Sequence, residues 1–253
     1  MFNKQLVGVE QWGIVMQRNK GAVDKAFDNI IKLVLSKKLQ PGDRIYETDL
    51  VDVFKMSRTP IREALSRLAS MGFLEKLPNK KGYIVPFLEP KDMKEVYYVR
   101  VLLEGKAARR AAKYASPEDL SELIEINQQE MEMFLANKKD EYAALNEKFH
   151  MAIAAMAKNR YLYRYIQQAF WRSNIYVFFF MSFYNEQINI KKLQNAENPR
   201  LSYMEHKKIV ESILSKDSLA AEKSMQEHLI IAYNSMLNPH VQPITSSDEF
   251  DLD

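Results

Sequence analysis

Three of the four histidines in the sequence have a spacing and a setting that suit metal binding. Asn146 and His150 are four residues apart, so on a helix both side chains project from one face. His206 and His228 lie in two later segments of helical character. Three imidazoles and an amide oxygen from three helices can converge and bind a divalent transition metal of the zinc, nickel or manganese class, with positions left for water or an anion. The alternative is that each histidine is a hydrogen-bonded structural residue.

A second group of chemically suggestive residues lies in the segment SRTPIREALSRL, residues 57–68. Its apolar residues recur at i, i+3, i+4 and i+7, which is the spacing of a helix with one buried face. Its polar side carries Arg58, Thr59 and Arg62, preceded by Ser57, and Pro60 fits the first helical turn. Arginine forks bind guanine and hydroxyls reach phosphates or bases, so such a helix can enter the major groove of DNA. The alternative is a solvated basic helix face.

The elements around this segment must position it. A helical stripe runs from Ala22 to Leu39 and stops at Pro41-Gly42, and a short helix around Leu50 follows. After the segment, two short β-type runs flank a turn at residues 78–82, which is rich in proline, asparagine, lysine and glycine. Three helices followed by a hairpin are the order of a winged helix-turn-helix, and the lysines at the turn suit the phosphate backbone.

The charge distribution agrees with this interpretation. Residues 1–90 hold 15 Lys and Arg against 10 Asp and Glu, a net +5, whereas the remainder holds 21 against 23, a net −2. The basic surplus is therefore N-terminal, and it indicates an anionic partner for the first part of the chain.

The rest of the chain predicts a helical bundle. Residues 91–237 read as helices separated by short breaks, after a boundary at Glu89-Pro90. We predict a mainly α fold with four regions: an N-terminal extension at 1–21, a winged helix-turn-helix domain at 22–88, an antiparallel all-α bundle at 89–237, and a frayed acidic tail at 238–253. The chain has no cysteine and no stretch of 18 apolar residues, so we expect a cytoplasmic protein that does not enter a membrane.

The N-terminal region resembles the GntR family of transcription factors. The resemblance is carried by Pro41-Gly42-Asp43-Arg44, by residues 57–65, by Gly72-Phe73-Leu74 and by residues 79–85. It implies that Arg58, Thr59 and Arg62, with Ser57 beside them, contact DNA from the recognition helix. It also implies a phosphate contact from Arg44 and a groove contact from Lys81-Gly82.

The helical region resembles the ligand-binding FCD domain of the FadR branch of that family. The matching positions include residues 100–104, residues 146–150, Glu205-His206 and His228-Leu229. In that branch an acidic residue, or sometimes asparagine, joins three histidines around a metal, and effectors are often small carboxylates. The resemblance therefore implies a metal set of Asn146, His150, His206 and His228. Arg100 is the candidate contact for the effector's anionic group, and an i, i+4 pair with Glu104 is its alternative.

These observations favour a ligand-gated transcription regulator. We expect a homodimer on a palindromic DNA operator, acting as a repressor that a small carboxylate relieves. Two alternatives stay open at this level. One is a metalloenzyme with a hydrolytic ion on the three histidines, and the other is a helical interaction module whose basic region binds nucleic acid without sequence preference.

Overall fold

The computed structural model describes residues 21–78, 81–181, 201–237 and 242–250. The chain divides into two compact units, residues 1–89 and residues 90–253, and each is described separately below. The predicted N-terminal extension falls outside the described residues, except for Gly21.

The first unit is three helices and a small sheet. Its elements in chain order are α1 (Ala22–Leu35), β1 (Arg44–Ile45), α2 (Glu47–Phe54), α3 (Arg58–Ser70), β2 (Glu75–Lys76) and β3 (Tyr83–Ile84). The strands pair antiparallel in the order β1-β3-β2, so the hairpin of β2 and β3 takes β1 as its third strand. The predicted winged helix-turn-helix fold is confirmed.

The apolar side of α3 is the centre of this unit. Helix α3 packs against α1 and α2, and four of its side chains are completely buried: Ile61, Ala64, Leu65 and Leu68. Pro60 lies in the first turn, and Ser57 takes the N-cap position with extended backbone. Burial of one face leaves the opposite face of α3 to solvent.

The second unit is a helical bundle, as predicted. Its helices are α4 (Pro90–Tyr114), α5 (Pro117–Leu135), α6 (Lys139–Met156), α7 (Arg160–Phe180), α8 (Ser202–Leu214) and α9 (Ser218–Asn234). The long helix α4 packs against α6, α7, α8 and α9. Side-chain caps begin three of the helices: Ser116 and Asp119 form a capping box at α5, Asn159 caps α7 and Asp217 caps α9.

The prediction of a frayed tail is wrong for residues 242–250. The side chain of Asn234 holds the backbone of Ile244 at both its carbonyl (2.7 Å) and its N–H (2.9 Å). Phe250, in a 3₁₀ turn at Ser247–Phe250, is fully buried against Tyr98 and Tyr233. The acidic composition suggested a solvated end, but one phenylalanine and one isoleucine bury enough apolar surface to dock the segment.

Candidate functional site

The three histidines of the second unit converge in the bundle core. His150 comes from α6, His206 from α8 and His228 from α9, and each side chain is at most 5% exposed. One nitrogen from each ring lies within 4.8 Å of the others. Phe149 stacks on the ring of His206 with 3.9 Å between centroids, which fixes the orientation of that imidazole. The structure therefore brings together the three predicted ring ligands.

Each histidine is held from behind by a glutamate. The three pairs join Nδ1 of a histidine to a carboxylate oxygen: His150 to Glu104 at 2.5 Å, His206 to Glu130 at 2.8 Å, and His228 to Glu205 at 2.8 Å. A carboxylate on one ring nitrogen is the arrangement that orients a metal-binding histidine and raises its basicity, because it fixes the proton on Nδ1 and leaves Nε2 for the ion.

The donor set fits a transition-metal ion. Nε2 of His206 and Nε2 of His228 face each other at 3.2 Å. If both rings donate from Nδ1 to their glutamates, both Nε2 atoms present lone pairs, and a shared cation between them removes the repulsion. Nitrogen ligands from imidazole suit zinc, nickel, copper and iron better than calcium or magnesium. His150, His206 and His228 would hold such an ion, which would supply a Lewis-acid position for an anionic ligand.

Burial keeps two of the site's histidines, His150 and His206, in the neutral form that binds metals. Burial lowers the pKa of His150 to about 3, although the neighbouring Glu104 opposes the shift. Burial and the proximity of His228 lower the pKa of His206 well below its ordinary value. Both rings are therefore neutral near pH 7 and offer a lone pair to an ion.

The glutamates that accept from the histidine Nδ1 atoms differ in whether a cationic side chain neutralises their charge. Burial would raise the pKa of Glu104, but the charge of Arg100 and the contact with His150 outweigh it and lower that pKa to about 2. Glu130 has no arginine or lysine partner among the contacts of the described residues, and burial raises its pKa to about 8. Its Oε1 is buried without a hydrogen-bond partner in that part of the chain.

Arg100 is buried beside the histidine cluster and keeps one donor free. Its Nε donates to Glu104 Oε1 at 2.6 Å and its Nη1 donates to Ser173 Oγ at 3.0 Å. The other terminal nitrogen, Nη2, is buried and has no hydrogen-bond partner within the described residues. The predicted i, i+4 pair with Glu104 is therefore present, and it leaves a guanidinium N–H that an added anion could accept.

Tyr97 adds a second free donor one turn before Arg100. Its hydroxyl is buried and lies close to the Arg100 guanidinium, but among the described residues it forms no hydrogen bond of normal geometry. Burial raises the pKa of Tyr97 to about 12, although the nearby guanidinium opposes the shift, so the hydroxyl keeps its proton and can donate. Two neighbouring buried donors without a well-formed hydrogen bond, beside a histidine cluster, are suited to a small anionic ligand.

Asn146 lies on α6 one turn before His150, as its spacing predicted, and its side chain is half-buried. Its membership of the metal set rests on this placement and stays a prediction.

The predicted DNA-contacting residues form an exposed face of the first unit. Ser57, Arg58, Thr59 and Arg62 are all exposed on the first two turns of α3 and its N-cap. Arg44 is exposed on β1.

The wing depends on one glycine. Lys81 is exposed before β3, and Gly82 follows it with a φ of 105°, in the left-handed region. A Cβ at Gly82 would lie 2.8 Å from the carbonyl oxygen of Ile45 and 3.0 Å from the ring of Tyr46. Glycine is thus required for the turn and for the close approach of the two strands.

Arg67, the third arginine of the segment at residues 57–68, has a structural contact instead. Its Nη1 donates to Asp24 Oδ1 at 3.1 Å, and its guanidinium lies over the ring of Phe27 at 4.4 Å. Asp24 and Phe27 belong to α1, so Arg67 joins α3 to α1.

Sequence reasoning did not identify Glu130 and Tyr97 as part of the site. A usable signal for Glu130 was present, because it occupies a buried position of the α5 stripe whose other members are Leu123, Ile126 and Phe134. A charged residue on the apolar stripe of a helix needs a partner in the core. The identity of that partner, His206, depends on the packing of α5 on α8 and cannot be read from spacing.

Comparison with known protein families matches both units. The model of the FCD domain matches residues 95–230, and the model described as bacterial regulatory proteins, gntR family, matches residues 22–84. The FCD match alone spans more than half of the chain, and it includes Arg100 and all three histidines.

Individual relatives agree with the family match. The chain is 28% identical over 207 residues to the uncharacterized HTH-type transcriptional regulator YdhC of Bacillus subtilis, covering 80% of this chain and 85% of that protein. It is 23% identical to the HTH-type transcriptional repressor RspR of Escherichia coli, covering 76% and 78%. The solved structure of Escherichia coli McbR/YncC shares the fold with a TM-score of 0.63 and 23% identity, covering 85% and 98%.

None of the helices in the described residues combines the length and the apolar character that crossing a membrane requires.

Proposed function

Because the chain belongs to the gntR family of bacterial regulatory proteins that carry an FCD domain, we propose that this transcriptional regulator is a repressor controlled by a small carboxylate bound beside a metal ion. The observation that carries the proposal is the buried cluster of three histidines, each with its own glutamate, next to the free donors of Arg100 and Tyr97. DNA-binding regulation follows from the family itself.

The DNA contacts are proposed for the exposed face of α3 and for the wing. Arg58, Thr59 and Arg62, with Ser57, would read base edges and phosphates from the major groove. Arg44 would contact a phosphate, and Lys81 with Gly82 would approach the adjacent groove. Exposure of these side chains, with the opposite side of α3 buried, supports the assignment.

The effector site is proposed for the second unit. His150, His206 and His228, with Asn146, would hold a divalent ion of the zinc, nickel or manganese class. A carboxylate at an open position of that ion would accept hydrogen bonds from Arg100 Nη2 and the Tyr97 hydroxyl. Both donors are buried without partners among the described residues, which supports an added acceptor.

We further propose a homodimer on a palindromic operator, because two-fold symmetric regulators place two recognition helices on two half-sites. We propose that the protein represses transcription and that the effector relieves this repression; the similarity to the repressor RspR supports a repressor. Effector binding would shift the population of states toward one with lower operator affinity. A cytoplasmic location stays a prediction.

The family assignment identifies a regulator rather than an enzyme, so the metalloenzyme alternative is not retained. Nucleic-acid binding without sequence preference is the remaining alternative to an operator reader. The two modes of binding differ in whether an arginine of α3 contributes to discrimination between base sequences.

The test begins with selection of an operator from randomised duplexes by the full-length protein. Affinity is then measured for the selected operator and for its single-base variants. We expect Arg62→Ala to lose about 1 to 3 kcal/mol of discrimination at one position, because a bidentate arginine reads one base. Arg67→Ala, whose side chain contacts α1, is the matched control. Equal weakening on every duplex by Arg62→Ala would contradict sequence reading.

The effector arm is tested with the zinc-loaded protein and a panel of small mono- and dicarboxylates. One of them should lower operator affinity in the wild type, and Arg100→Lys should weaken that response, because lysine keeps the charge but lacks the fork. If no carboxylate changes operator affinity while operator selection succeeds, the carboxylate assignment is wrong.

A further inference from the structure

One end of the second unit carries an excess of positive charge. Two stretches form it: residues 110–114 at the end of α4, and residues 158–165 at the turn between α6 and α7 and the start of α7. We call this surface the basic tyrosine face. Arg110 Nε donates to the carbonyl of Ala157 at 2.7 Å, which joins the two stretches. Lys158 Nζ lies 3.2 Å from Asp119 Oδ2, which joins the turn to the start of α5.

Within the part of the chain that the structure describes, several cations on this face have no carboxylate partner, unlike the lysines on other helices that pair with glutamate four residues along, such as Lys91 with Glu95 and Lys207 with Glu211. Among the described residues, Lys113, Arg160 and Arg164 have no carboxylate within 4.0 Å. The first turn of α7 also contains no acid, although the positive end of the helix dipole would favour one.

Exposed tyrosines lie between these cations. Tyr114, Tyr161 and Tyr165 are 51%, 57% and 55% exposed. The Arg110 guanidinium lies over the Tyr114 ring at 4.9 Å, and the Arg160 guanidinium lies over the Tyr161 ring at 4.8 Å. Arg160 Nη2 also donates to the Tyr161 hydroxyl at 3.0 Å. The ring contact and this hydrogen bond limit the rotamers of the arginine, so less entropy is lost when its remaining N–H groups bind.

This combination matches a phosphate backbone better than an acidic protein surface. Arg160 and Arg164 are four residues apart on one side of α7, and Tyr161 and Tyr165 form the adjacent row. Arginine and tyrosine side chains are both regular donors to DNA phosphates, and such contacts carry no sequence information. We propose that the basic tyrosine face binds the backbone of duplex DNA outside the operator, as a second contact separate from that of α3.

The proposal is tested by the salt dependence of binding to a 60-bp duplex of unrelated sequence, with full-length protein. Each phosphate contact adds about 0.9 to the slope of log K against log salt, so the Arg160→Ala, Arg164→Ala double variant should have a slope shallower by about 1.8. Lys207→Ala with Lys223→Ala removes two exposed, glutamate-paired lysines and is the matched control, for which an unchanged slope is expected.

Two further variants separate this contact from the one proposed for the winged domain. Arg58→Ala with Arg62→Ala should lower the slope independently, and the two losses should add if two surfaces bind DNA. If the Arg160→Ala, Arg164→Ala variant has the wild-type slope while the Arg58→Ala, Arg62→Ala variant has a shallower one, only the proposed second contact is wrong. If the Arg160→Ala, Arg164→Ala variant loses as much affinity for an acidic polypeptide such as polyglutamate as for the duplex, the face binds polyanions in general. That result would also contradict the proposal of a DNA contact.

Discussion

Replacing Glu130 with glutamine should weaken metal binding without unfolding the protein. Glutamine keeps an oxygen that can accept from His206 Nδ1, so the ring orientation is retained while the charge is lost. The charged groups around the histidines show why that charge matters. Burial raises the pKa of Glu130 to about 8, so without a cation its carboxyl is largely protonated near pH 7. A bound cation would favour its ionised form, and Glu104, Glu130 and Glu205 (−3) with Arg100 (+1) would then sum to −2, which balances a divalent ion.

The size of the expected loss in metal affinity follows from the burial of Glu130 and from the distance between its carboxylate and the ion. Across one imidazole ring, roughly 7 Å, a carboxylate and a divalent ion attract by about 5 kcal/mol at an effective dielectric constant of 20. Part of this is offset because a buried carboxylate is costly to ionise, as the raised pKa of Glu130 indicates. Loss of an outer carboxylate typically reduces metal affinity about 10- to 100-fold, or roughly 1.4 to 2.8 kcal/mol, and we expect a value in that range.

The assay is competition for zinc against a chromophoric chelator, with bound metal counted by elemental analysis. Glu132→Gln, an exposed glutamate two residues along α5, is the matched control and should bind zinc as the wild type does. His206→Ala should abolish tight binding. Thermal melting of the metal-free protein near pH 7 gives a second measurement. Glu130→Gln should melt at about the wild-type temperature, because burial raises the pKa of Glu130 to about 8 and the wild-type side chain is already largely uncharged. Wild-type zinc affinity in Glu130→Gln, alongside loss in His206→Ala, would refute the charge argument.

Three further substitutions test the structural contacts. Gly82→Ala should lower the free energy of unfolding of the first unit by about 1 to 3 kcal/mol and weaken DNA binding, because its φ and its close contacts exclude a Cβ; urea denaturation and duplex titration measure the two effects. Arg67→Ala should lower stability by about 1 kcal/mol, since it removes a half-exposed ion pair with Asp24 and the stacking on Phe27, and operator discrimination should not change. Phe250→Ala should cost roughly 3 to 5 kcal/mol in the second unit, because the ring is fully buried; no change in its melting temperature would mean that residues 242–250 do not dock in solution.

The helices could be predicted from the sequence because their signals are local. Such signals stand at the starts of α5 and α9: Pro117 follows Ser116, which caps α5, and Ser218 follows Asp217, which caps α9. The face that α3 leaves exposed was predictable for the same reason, since the buried positions fix the others. The docking of Phe250 was not predictable, because it depends on Tyr98 and Tyr233, which are distant in sequence.

The metal site could be predicted in part. The i, i+4 spacing placed Asn146 and His150 on one face of α6, but the glutamate behind each ring could not be assigned. Glu104 is 46 residues from His150 and Glu130 is 76 residues from His206, so only the packing of different helices brings them together. This packing has a chemical consequence: if a divalent ion binds, the glutamates around the histidines would balance its charge even though residue 146 is a neutral amide.

Burial of the site also bears on how a ligand could act. His150, His206, Arg100 and Tyr97 are each at most 3% exposed, so a ligand of several atoms can reach them only if the bundle opens. A ligand that binds one state of the bundle better than the other shifts their populations by its difference in affinity, and by no more. The buried Nη2 N–H of Arg100 and the buried hydroxyl of Tyr97 make such a difference possible, because among the described residues neither forms a hydrogen bond of normal geometry. An anion that accepts from both donors would favour the packing in which they are buried together, and this difference in affinity is what control of the second unit by a ligand would require.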